Sequence, residues 1–176
     1  MFDRDAREDA ADNPAQWEAV EEAAELLSEE RYVDALRQLK TVLQKDPTNG
    51  YAYYFTGLAL FEVGEVEPAR DAYRAAVRHY PKHLGARLGL AHTERLLGNT
   101  REAIREGLVA LEQAPDDGDA LYVLGLSYHA RGEHNSAREY FHAFLQTRPE
   151  LEVRVEVEEL LVQMNESAPK NANDSN

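Results

Sequence analysis

The sequence predicts an all-α fold: an α-solenoid of four helix-turn-helix repeats followed by a C-terminal capping helix. Three observations carry this. Shifted by about 34 residues, the chain matches itself, which puts Pro47, Pro81, Pro115 and Pro149 in one column and Ala35, Ala69, Ala103 and Ala137 in a second. Small residues recur at Ala23, Gly57, Ala91 and Gly125, as a site needs where two helix backbones approach too closely for a larger side chain. Gly64, Gly98 and Gly132 stand between two helical patterns, where a residue with positive φ ends the first helix and glycine has no Cβ to clash.

Residues 1–13 mix Asp, Glu and Arg with few apolar groups and are expected to form an acidic, disordered tail. Asn13 and Pro14 then form an N-cap and first helical residue. A first helix is expected over about 14–29, with Ala19, Ala23 and Leu26 on its core face. Trp17, Val20, Ala24 and Leu27 make a second apolar stripe beside it, so the helix needs two partners. The repeat units are 14–47, 48–81, 82–115 and 116–149. Tight turns such as Asp46-Pro47-Thr48-Asn49 and Pro115-Asp116-Asp117-Gly118 join them, and each proline closes a second helix. Over 150–164, Val153, Val157, Leu160, Leu161 and Met164 mark one helical face, which predicts a capping helix on the last hairpin. Residues 165–176 are polar and expected to be disordered.

Composition narrows the function. A formal charge of −14 repels phosphate backbones and anionic lipid, so neither nucleic acid nor a membrane is an expected partner. The chain has no cysteine, hence no disulfide, thiolate nucleophile or cysteine metal site. Its charged N-terminus, with no apolar signal core and no long apolar run after it, leads to an expected cytoplasmic localisation.

The proline, alanine, small-residue and turn-glycine columns, in phase over four units, resemble the tetratricopeptide repeat (TPR) family over roughly 14–149. Glu30 departs from the turn glycine, Glu22 from the family's leucine, and Gly107 from its aromatic. The resemblance implies a right-handed superhelix whose first helices line a concave ligand groove. Carried across by register, the implied groove positions are Trp17, Val20, Ala24 and Leu27, then Tyr51, Tyr54, Phe55, Leu58 and Phe61. The third and fourth units give Gly85, Leu88, Gly89, His92 and Arg95, then Asp119, Tyr122, Val123, Leu126 and His129. Gly85 and Gly89 are expected to leave a trough for an apolar side chain or an amphipathic helix. The Lys, Arg and Asn clamp by which some TPR cochaperones hold a C-terminal carboxylate is absent, since Val20, Ala24, Phe55, Leu58, Leu88 and His92 occupy its positions.

Catalysis and metal binding are not expected, and no cofactor is called for. His79 and His83 straddle Pro81, which breaks the helix that would align them. Asp116-Asp117-Gly118-Asp119 lacks a calcium loop's later bidentate Glu and suits helix capping. Arg70, Arg74 and Arg78 form a basic stripe that Glu67 and Asp71 can satisfy in part. The leading expectation is a scaffold or adaptor that binds a segment of another protein in the concave groove. The competing readings are a homodimer through Trp17, Val20 and Leu27, and a secretion-type TPR chaperone, suggested by size and charge.

Overall fold

A computed structural model describes residues 13–166 as ten α-helices. They are α1 (Pro14–Glu18), α2 (Glu21–Ser28), α3 (Tyr32–Lys45), α4 (Gly50–Glu62), α5 (Val66–His79), α6 (Leu84–Leu96), α7 (Thr100–Gln113), α8 (Gly118–Ala130), α9 (His134–Gln146) and α10 (Leu151–Glu166). Each hairpin turn is a Schellman motif: Glu65 N donates to Leu60 O at 2.9 Å and Gly64 N to Phe61 O at 2.9 Å, and the same pair of bonds closes the other three turns. Gly64, Gly98 and Gly132 adopt φ of 83°, 79° and 75°, and Glu30 is driven into the same conformation at 58°. A side chain there is strained, so Glu30→Gly is expected to add about 1 kcal/mol of stability, read as a higher urea midpoint at unchanged slope.

The linkers repeat as faithfully. Asn49, His83 and Asp117 cap α4, α6 and α8 by accepting from the amides of Ala52 (2.9 Å), Ala86 (3.2 Å) and Ala120 (2.7 Å). The residues before Pro47, Pro81 and Pro115 are extended, with φ between −131° and −138°, as proline demands of its neighbour. The fourth linker differs, because Arg148 takes φ 58°.

The first helix departs from expectation. It breaks between α1 and α2: Val20 N donates to Trp17 O at 2.9 Å, one residue short of the α-helical pattern. Gln16 O, released by that shift, accepts from Asn49 Nδ2 at 2.9 Å. Val20 is thereby fully buried and Trp17 lies edge-on to Tyr51 at 5.5 Å, while Ala19, expected in the core, is exposed. The second apolar stripe therefore has its partner inside the chain, in α4. Asn13 caps α1, with its side chain 3.4 Å from Gln16 N, so it is not part of a tail; the rest of the expected acidic tail lies outside the described residues. Asn165 and Glu166 extend α10 beyond the expected 164, and the remainder of the C-terminal tail also lies outside.

Successive first helices pack side by side (α2 on α4, α4 on α6, α6 on α8), whereas no two successive second helices pack comparably among the described residues. That wedge curves the array and puts the first helices on the inner side. The core falls into an apolar cluster spanning the first two hairpins and reaching Ala86 and Leu90 of α6, another joining α8, α9 and α10, and a small one at Leu88, Ala110 and Ala120. Between the large clusters the third hairpin buries Arg87, Glu94 and Glu106. On α10, Val157, Leu161 and Met164 are buried against the last hairpin, with Val153 and Leu160 partly buried, as the helical face predicted.

Candidate protein-binding groove

The positions that the register implied for the groove differ widely in burial. Tyr51 and Tyr54 are 1% exposed, and Phe55, Leu88 and Val123 are also buried. These side chains are core rather than surface, because neighbouring first helices pack tightly enough to close over them. The trough expected at Gly85 and Gly89 is filled by aromatic rings. A Cβ on Gly85 would lie 3.2 Å from Tyr54 Oη, and one on Gly89 would lie 2.6 Å from the Tyr73 ring. The two glycines admit the protein's own tyrosines.

Two columns stay partly exposed through all four units: Ala24, Leu58, His92 and Leu126, and beside them Leu27, Phe61, Arg95 and His129. Trp17, Tyr122 and Asp119 are partly exposed at the ends. The floor is apolar over the first two units, where Leu27, Leu58 and Phe61 rest on the core cluster. It becomes polar in the third, where His92 stands edge-on to Phe61 at 5.4 Å. Burial, and then the charge of Arg95, push the His92 imidazole down to about 4, so the ring is neutral at pH 7. Arg95 is partly desolvated, which lowers its pKa; the fields of Tyr122 and Glu156 act the other way. Its Nε, and Nδ1 of His129, are buried atoms with no hydrogen-bond partner among the described residues. This surface thus carries partly exposed apolar side chains on either side of the Arg95 guanidinium, whose Nε has no partner among the described residues.

Sequence reasoning missed Glu156. Its Oε1 accepts from Tyr122 Oη at 3.1 Å, bringing the capping helix to the edge of this surface. The signal was available, since Glu156 continues the Tyr54, Leu88, Tyr122 column by one more period. Also missed was Glu94, a buried carboxylate that takes Arg74 Nη2 and, at 2.8 Å, Asn99 Nδ2. With Asp71 pairing Arg70 and Arg74, most of the basic stripe is engaged. His79 stacks on Tyr53 at 5.3 Å and His83 caps α6, so neither is placed as a ligand, and no group of three metal-capable side chains occurs among the described residues.

His83, pushed down to about 4 by burial, makes stability depend on pH in the same window as His92. Both fold neutral, so the unfolded chain binds protons first as pH falls. Their contribution is complete above about 6.5 and is lost towards about 4, by about 1.4 kcal/mol per pH unit for each group. Urea titrations at stepped pH are expected to show stability falling through that window, and His83→Asn, which keeps the cap in the form used at Asn49, is expected to flatten the fall.

Comparison with known proteins places this geometry. The tetratricopeptide repeat model matches residues 20–83, 57–117 and 88–151. Superkiller complex protein 3 of Mus musculus is 27% identical over 167 residues, 90% of this chain and 11% of that protein. The Homo sapiens protein of the same name is 34% identical over 74 residues, 42% of this chain and 5% of that protein. The chain therefore spans about a tenth or less of the length of these relatives. A crystal structure of MamA superposes with a TM-score of 0.69 at 24% identity, covering 84% of this chain and 88% of that one. MamA from Desulfovibrio magneticus RS-1, residues 41 to the end, gives 0.73 at 22% identity, covering 81% and 79%. At that identity the likeness is one of fold.

Proposed function

The chain belongs to the tetratricopeptide repeat family, and from that premise we propose that it is a protein-interaction scaffold holding an apolar or amphipathic segment of another protein against the two inner columns. The observation that carries the reading is the unbroken, partly exposed run Leu58, His92 and Leu126 beside Phe61, Arg95 and His129. Apolar sockets at spacings set by the repeat suit the side chains of an extended or helical segment, and Arg95 offers one polar anchor between them. The mouse and human relatives are named as components of a complex, in keeping with this role. The competing reading is a homodimer through the N-terminal helix: Val20 is buried and Trp17 packs on Tyr51 and Phe55 of the same chain, but Trp17 and Leu27 keep partly exposed apolar surface. A cytoplasmic setting rests on composition alone.

The test is capture from the protein's own cells, with the wild-type chain and a Leu58→Asp, Leu126→Asp variant as parallel baits. Both side chains are partly exposed but also pack on the core clusters, so circular dichroism and a thermal midpoint establish that the variant bait is folded before capture is compared. Proteins held by the wild type and lost from the variant would support the groove. An identical set on both baits would sink it.

A further inference from the structure

The capping helix has a second face. Along α10 the inward residues are buried, yet Leu151, Val155 and Val162 are 73%, 43% and 56% exposed. One repeat earlier the offsets of Val155, Glu159 and Val162 are held by Leu121, Gly125 and Tyr128. In α8 that face receives the second helix of its own hairpin: Gly125 lies against the Phe141 ring, and Tyr128 stacks on Tyr140 at 5.4 Å. Helix α10 thus occupies the place of a fifth first helix, resting on α9, and no second helix follows it among the described residues.

The chemistry of the uncovered face excludes the occupant that the repeat pattern would supply. Glu159 replaces the glycine that lets an aromatic ring reach the helix backbone, and Glu158 replaces Leu124. What remains is two aliphatic side chains about 10 Å apart, on one open helix face with Glu158, Glu159 and Gln163. Glu159 has no ion pair among the described residues, and Glu158 has only the exposed Arg154, at 2.8 Å. A second copy of this face would oppose carboxylate to carboxylate. Residues 167–176, SAPKNANDSN, carry one lysine and no large apolar residue.

We propose that the outward face of α10 docks a basic amphipathic helix of another protein. Aliphatic side chains of that helix, two turns apart, seat on Val155 and Val162, and its lysines or arginines pair with Glu158 and Glu159. This surface is separate from the inner columns and leaves them open.

The test uses the full chain and a fluorescein-labelled 18-residue peptide with a leucine face and a lysine face, read by fluorescence anisotropy, and the same peptide with glutamate for lysine. The lysine peptide is expected to bind and the glutamate peptide not. Val155→Ser with Val162→Ser is expected to weaken binding at least tenfold. Glu158→Lys with Glu159→Lys is expected to abolish it and to confer binding of the glutamate peptide. All four positions are exposed, so circular dichroism and thermal midpoint are expected to stay at wild-type values. Equal binding of both peptides, binding indifferent to these changes, or binding lost instead in the Leu58→Asp, Leu126→Asp variant would overturn the proposal. So would a dimer, seen by light scattering, that the Val155 and Val162 changes dissolve, since the occupant would then be a second copy.

Discussion

Glu106→Ala is expected to cost about 3–5 kcal/mol of folding free energy, the penalty for stranding a buried charge. Glu106 Oε2 accepts from Arg87 Nη1 at 2.6 Å, and both side chains are only 10% exposed. Arg87 Nη2 also donates to Pro81 O at 2.7 Å, so the guanidinium ties α7 to the linker that starts the third repeat. Without Glu106 that cation keeps a carbonyl but loses its counter-charge in a site from which water is largely excluded. Arg105, which also pairs with Glu106, is 66% exposed and simply returns to solvent. The matching positions of the fourth hairpin, Leu121 and Tyr140, belong to one apolar cluster. Arg87→Leu combined with Glu106→Tyr is therefore expected to recover most of what the single change loses. Urea unfolding of the two variants beside wild type measures both effects, and a Glu106→Ala protein within about 1 kcal/mol of wild type would show the pair to be solvated in solution.

Tyr73→Ala is expected to cost a similar amount, about 3–5 kcal/mol, through the cavity it leaves. Tyr73 is 2% exposed and inserts its ring between Gly57 of its own hairpin and Gly89 of the next. Helix backbones hold the glycines apart, so the space cannot collapse. Tyr73→Phe keeps the ring and is expected to stay within about 1 kcal/mol of wild type. Because this ring couples the second and third hairpins, the alanine variant is also expected to broaden the unfolding transition as neighbouring repeats lose their coupling.

These two sites mark the boundary of what could be read from the sequence. Hairpins and turn glycines were legible because each depends on local chemistry repeated along the chain, and the buried face of α10 because its apolar residues recur at helical spacing. Even Glu30 obeys its column, taking the glycine conformation without the glycine. Burial depth was not legible. Gly85 and Gly89 looked like a gap because the residues that fill them, Tyr54 and Tyr73, lie on other helices, and a register cannot weigh a void against a side chain from elsewhere. The buried ion pair was hidden for a related reason: Arg87 and Glu106 lie on different helices, 19 residues apart, and no local pattern pairs them. The break before α2 depends on Asn49 reaching Gln16 O from a linker 33 residues away, which no local pattern encodes.

Of the residues implied for the groove, Leu58, Phe61, His92, Arg95, Leu126 and His129 are partly exposed, whereas Tyr51, Tyr54, Phe55 and Leu88 are buried. The most direct measurement is site-specific photocrosslinking in the protein's own cells, with benzoylphenylalanine placed singly at Leu58 and His92 on the inner columns and at Arg37 and Glu112 on the outer helices. Crosslinks to a common partner from the two inner positions, and none to it from the outer two, are the predicted result. The same partner trapped with equal yield from Arg37 and Glu112, or from those alone, would contradict a binding surface on the inner face.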